Sequence, residues 1–176
     1  MIEVDVRLNI AEVKRMLGSQ LKAEIDKAVP TTLNRVASST RTVAVREINK
    51  ITGLKGASIR ERLAIQRATR ALPEARIIAK KYAPNLINFQ ARQTKRGVSA
   101  NAWRKRKVYT GAFIANQGRT VFTRVGAARL PIKALKGPSV PRTFMQDTVD
   151  SAMRKTINER WPVEFERQVA FRIGRL

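Results

Sequence analysis

Val98-Ser99-Ala100-Asn101-Ala102-Trp103-Arg104-Lys105-Arg106-Lys107-Val108-Tyr109-Thr110-Gly111-Ala112-Phe113-Ile114 sets two strand-type runs around four consecutive cations. Val98–Trp103 and Val108–Ile114 carry the β-branched and aromatic residues that fit a pleated, half-buried surface. The space between them is too short for a crossover helix, so they read as antiparallel neighbours with Arg104 to Lys107 at a loop tip. The pattern extends outward in both directions. Strands are expected at about Ala64 to Thr69, Ala75 to Lys80, Leu86 to Arg92 and Thr120 to Val125, punctuated by Pro73, Pro84, Gly97, Gly118 and Gly126. Lys95-Arg96 takes a neighbouring turn. Gly111, Gly118 and Gly126 lack the spacing of a phosphate-binding loop and read as turn residues.

Upstream the period changes. Ile2, Val4, Val6 and Leu8 alternate with Glu3, Asp5 and Arg7, the signature of a short strand. Asn9 can cap a helix whose apolar face is Ile10, Val13, Leu17, Leu21, Ile25 and Ala28, resuming after Pro30 as Leu33, Val36, Ala37, Ala44, Ile48 and Ile51. Pro30 predicts a kink, or a break with a new start at Thr31 or Thr32, and Gly53 ends the element. The small-residue run Asn34 to Thr40 reads as a packing face. Lys55-Gly56-Ala57 is a turn, with Ser58 capping a helical turn that reaches Leu63. Downstream, Pro138 to Pro141 is extended. Thr143 or Asp147 opens a terminal helix with the face Phe144, Val149, Ala152, Met153 and Ile157, then Trp161, Phe165, Val169 and Ile173, and Pro162 invites a second break. The fold class is α+β: a long N-terminal helix and a C-terminal helix packed on a small antiparallel β-sheet. At 176 residues this suits a single domain, with 1–53 as strand plus long helix, 54–138 as basic β region and 139–176 as terminal helix.

Charge is uneven along the chain. Residues 1–53 hold 9 Lys/Arg and 6 Asp/Glu, residues 54–138 hold 20 and 2, and residues 139–176 hold 7 and 5. Only Glu61 and Glu74 relieve the middle third, which carries +18 of the net +23. A one-signed field repels itself and destabilises the compact state, so its concentration points to a polyanion or an acidic partner. The contact candidates are Lys95, Arg96, Arg104, Lys105, Arg106, Lys107, Arg119, Arg124 and Arg129. Trp103 and Tyr109 flank the run, where their rings stack on a base or, the favoured reading, pack in the core. The Trp161 and Phe165 pair, with Phe144, reads as core or subunit interface. Nothing resembles a helix-turn-helix, a zinc site or a ribonucleoprotein motif, so any nucleic-acid contact is sequence-independent.

The chain has no cysteine and no histidine, which removes thiolate chemistry, disulfides, the usual general base and the commonest metal ligand. No pair of acids stands in the basic region to hold Mg²⁺ for a bound phosphate. The inventory argues against an enzyme and gives no metal or cofactor site. No apolar run approaches the roughly 20 residues of a membrane span, and the acidic start Met1 to Asp5 is unlike a signal peptide. A protein made in the cytoplasm, neither secreted nor membrane-embedded, is expected.

Several short segments carry a family resemblance. Thr32-Leu33-Asn34-Arg35-Val36-Ala37-Ser38-Ser39, Ile59-Arg60-Glu61-Arg62-Leu63, Arg67-Ala68-Thr69, Pro73-Glu74-Ala75-Arg76-Ile77, Gly111-Ala112-Phe113-Ile114, Arg124-Val125-Gly126, Leu130-Pro131-Ile132 and Pro141-Arg142-Thr143-Phe144 follow one another. In this order the chain, from about residue 28 to its end, resembles the prophage minor tail protein Z family of lambda-like phages. The resemblance implies a structural virion component acting late in tail assembly, at the head-proximal end near the terminator, that completes the tail for head joining and DNA passage. Implied partners are the tail terminator, tail tube or neck proteins, further copies in a ring, with six expected from tail symmetry, and packaged double-stranded DNA. The virion alternative sets the basic surface against an acidic tail or neck protein. Outside the virion, the alternative is a non-specific nucleic-acid-binding protein.

Overall fold

The helical spacing from Ile25 to Ile48 is realised as α1, Ser19–Thr52, 34 residues without a break in a computed structural model that describes residues 19–80 and 82–174. The expected strand at Ile2–Leu8 and the helix start at Asn9 lie outside the described residues. Pro30 sits inside α1 and does not divide it. The expected break is corrected on two grounds. Thr31 and Thr32 donate their hydroxyls to the carbonyls of Lys27 and Ala28 at 3.2 and 3.0 Å, holding the turn that the proline weakens. More decisive is the buried face on both sides of it: Ile25, Val29, Leu33 and Val36. Each such side chain contributes about 1.5–3 kcal/mol on burial, against roughly 3 kcal/mol for an interior proline. Gly53 ends the helix as expected, at φ +72° with its N–H on the Asn49 carbonyl at 2.9 Å.

The residues group into two compact units. Within residues 19–44, 63–78 and 150–174, α1 packs on α4, Asp147–Ile173, through Ile25, Val29, Leu33, Val36, Ala68, Ile157 and Trp161. Pro162 lies inside α4 without ending it, so the second expected break is also absent. Trp161 is buried and stacks on Phe165 with ring centroids 5.7 Å apart and 10° between planes, carrying the packed face across the proline. The short strands β1, Leu63–Gln66, and β2, Arg76–Ala79, pair beside this core. Asn34 fixes the loop between them, accepting the Ala68 N–H at 2.8 Å and donating to the Ala68 carbonyl at 3.0 Å. The small-residue run is therefore a packing face. Acids here bridge the helices: Glu164 takes Arg35 and Arg167, while Glu24 takes Lys27 and Arg172.

Residues 45–62 and 79–149 form the other unit. After α1 comes α2, Gly56–Arg60, capped by Lys55 without a side-chain bond. Ser58 is inside that helix and its carbonyl accepts from Arg62 at 2.6 Å, which corrects its expected capping role. Leu86–Phe89, expected as a strand, is a 3₁₀ turn. Asn85 explains the difference: its Oδ1 accepts from the N–H groups of both Ile87 and Val121, at 3.0 and 2.9 Å, capping the turn and tying it to a strand. Two three-stranded antiparallel sheets follow, β3-β4-β5 (Arg92–Thr94, Gly97–Ala102, Lys105–Thr110) and β6-β7-β8 (Ala112–Ala115, Thr120–Arg124, Ile132–Ala134). The single strand expected over Val108–Ile114 is two, because Gly111 turns the chain at φ +70°. Strand β8 was not expected. Gly97 can be nothing larger, since a Cβ there would lie 2.1 Å from the Tyr109 carbonyl oxygen. Ser139 caps α3, Val140–Phe144, and the terminal helix α4 opens at Asp147.

Candidate functional site

The four-cation run does not occupy one loop. Ala102 pairs with Lys105, so the β4–β5 connection is the two residues Trp103 and Arg104 alone. Both have positive φ, +54° and +58°, the two-residue turn whose twist suits a hairpin but which normally takes Asn and Gly. What holds two bulky residues there is the end of α1. The Trp103 N–H donates to the Thr52 carbonyl at 3.1 Å, and the Arg104 guanidinium donates to the Asn49 carbonyl at 3.2 Å and to Asn49 Oδ1 at 2.7 Å. The last carbonyls of a helix lack partners within it and carry its partial negative charge. Arg104 is thus a cap supplied from a distant hairpin, and its role is in the fold.

Lys105, Arg106 and Lys107 belong to β5, where successive side chains take opposite faces. Register places Lys105 and Lys107 opposite Ala102 and Ala100, on the face of the buried Val98. Arg106 lies opposite Asn101 on the other face, where it donates to Ser99 Oγ at 3.2 Å and shares the surface with Arg92, opposite Ser99. Lys95 and Arg96 make the turn at the other end of β4, about 20 Å from Arg104 at the usual rise per strand residue. Trp103, expected to favour the core, is 54% exposed because its turn points away from the sheet; Tyr109 is half-buried.

The second sheet distributes its cations similarly. Arg119 is in the turn between β6 and β7, while Arg124 closes β7 at the opposite end and Arg129 follows in the exposed loop. Arg124 lies over the Phe113 ring at 5.3 Å, and Phe113 stacks on its cross-strand partner Phe122 at 6.2 Å. Val125, Leu130 and Ile132 are exposed around this end. All nine candidate cations are exposed, and among the described residues none has a carboxylate within ion-pair distance. The cause is in the sequence: no Asp or Glu occurs between Glu74 and Asp147, across 16 Lys and Arg. Among the described residues no cluster of acids could hold a metal ion, and no helix is long and apolar enough to cross a membrane.

Comparison with known families places this arrangement. The sequence profile of prophage minor tail protein Z matches residues 11–175. The chain belongs to the prophage minor tail protein Z family. It is a phage minor tail protein, a structural component of the virion tail that works among other tail components. No curated protein and no solved structure matches it.

Seen as a tail protein, its expected interface aromatics need revision. Phe144 is 2% exposed and Trp161 is packed in the helical core, so both serve their own chain; Phe165 is half-buried beside Trp161. Sequence reasoning missed Arg92, which the register sets beside Arg106, and the exposed apolar group Val125, Leu130 and Ile132. Alternation along a strand would have paired Arg106 with Val108 and separated it from Lys105. It could not find Arg92 without the register.

Proposed function

We propose that this minor tail protein completes the tail at its head-proximal end, as a ring of six copies whose β-sheet unit faces the channel through which the genome passes. The observation that carries this is the run of 16 cations without one acid, displayed on two small sheets and left without carboxylate partners in the described chain. Such a surface requires counterions or a polyanion, and a ring multiplies the requirement. Contact is with phosphates and independent of sequence, since cations on both faces and at both ends of the sheets do not form a base-reading element. A second reading, an acidic neighbouring tail or neck protein, is favoured at one place, where Val125, Leu130 and Ile132 stand exposed beside Arg124 and Arg129. A nucleic-acid-binding protein outside the virion has no support from the family.

The test is complementation of a phage lacking this gene with Lys105→Ser/Arg106→Ser/Lys107→Ser, which spares the structural Arg104. Normal tails with lowered DNA delivery are expected. Tails that lack the variant protein would assign these residues to protein contact instead.

A further inference from the structure

Strand β5 is an outer edge. In the order β3-β4-β5 its inner side pairs with β4 over all six residues, and among the described residues no strand lies on its other side. Five of its six residues are exposed. No proline or bulge interrupts it, and such an edge offers unpaired N–H and C=O groups to any extended segment. Its charge is what guards it: Lys105, Arg106 and Lys107 repel any cationic strand and select an anionic one.

The chain contains one segment of matching pattern. Acids two residues apart occur at Glu3/Asp5, Glu24/Asp26 and Glu164/Glu166. The last two pairs are on α1 and α4, where residues two apart diverge around the helix. Glu3 and Asp5 belong to the alternating run Ile2 to Leu8, outside the described residues, whose period of two is that of a strand. Set against β5, Glu3 and Asp5 meet Lys105 and Lys107 on one face in either strand direction, and Val4 falls opposite Arg106. Directly opposed opposite charges stabilise a strand pair, and like charges destabilise it.

We propose that residues 2–8 of one copy add as a fourth strand to the β5 edge of the next. Each subunit gives one strand and receives one, a heterologous contact that closes as a ring. Main-chain hydrogen bonds supply the affinity and the Glu3/Asp5 to Lys105/Lys107 match supplies the register. This rests on the ring reading above and gives it a mechanism.

The test uses the full chain and two charge reversals, Lys105→Glu/Lys107→Glu and Glu3→Lys/Asp5→Lys, with mass followed by light scattering against concentration. Wild type is expected to associate, each variant alone to associate at least tenfold more weakly, and an equimolar mixture of the two to recover, because each edge then meets a strand of opposite charge. Variants that associate like wild type, or a mixture that does not recover, overturn strand exchange and leave the ring standing. A wild type that stays monomeric overturns both.

Discussion

Arg104→Ala is expected to destabilise this protein more than removal of any other cation of the run. It deletes two hydrogen bonds to Asn49 and a positive charge at the end of α1. Each bond contributes about 0.5–1.5 kcal/mol net, and a cation at a helix C-terminus about 0.3–1 kcal/mol. The guanidinium is exposed, which places the sum toward the low end, about 1–2 kcal/mol. For a chain of this size that lowers Tm by roughly 2–6 °C. Lys107→Ala, an exposed strand residue without a partner among those described, should stay within about 0.5 kcal/mol of wild type. Thermal and urea unfolding of both variants measure the difference. Asn49→Ala completes a cycle in which the pair should couple by about 0.5–1 kcal/mol. Equal Tm values for Arg104→Ala and Lys107→Ala would refute the capping role and return Arg104 to the contact surface.

Other expectations follow from single contacts. Gly97→Ala places a Cβ 2.1 Å from the Tyr109 carbonyl oxygen and should leave little folded protein, whereas Gly111→Ala meets no atom within 4 Å and pays only for its φ, about 1 kcal/mol; soluble yield and Tm separate them. Thr40 has a buried hydroxyl without a partner, beside an apolar cavity lined by Leu33, Val36, Ala75 and Ile157, so Thr40→Val should raise stability by about 1 kcal/mol in urea unfolding. The Lys50 ammonium, with Arg46, holds the Glu47 carboxyl below its ordinary value of 4.5. A depressed carboxylate stabilises the fold above its unfolded pKa and loses that contribution as pH falls through the folded one. Melting temperature should therefore decline below pH 4.5 less steeply in Glu47→Gln than in wild type.

The class of fold was legible because two periods change at Gly53: helical spacing before it, alternation after it. The terminal helix was legible too, from Val149, Met153, Ile157 and Trp161 at intervals of four. What the sequence concealed depends on contacts between distant residues. Pro30 and Pro162 read as breaks because a local rule cannot weigh the burial of Ile25, Val29 and Trp161 against one lost bond. Leu86–Phe89 has strand composition, yet Asn85 bonds its own turn and Val121 together. The left-handed Trp103-Arg104 turn carries none of the residues that announce one, since its support comes from Asn49 and Thr52. The charge excess was evident from composition. Its division, with Arg104 in the fold, Lys105 and Lys107 on one face and Arg106 with Arg92 on the other, required the register.

A cryo-electron reconstruction of the virion's head-proximal tail end, with the genome present and side chains traced, tests the central claim most directly. The account predicts a ring of this protein with the Lys95 to Lys136 surface lining the lumen beside DNA density. The same surface buried against another tail protein, or a ring located elsewhere in the tail, would contradict it.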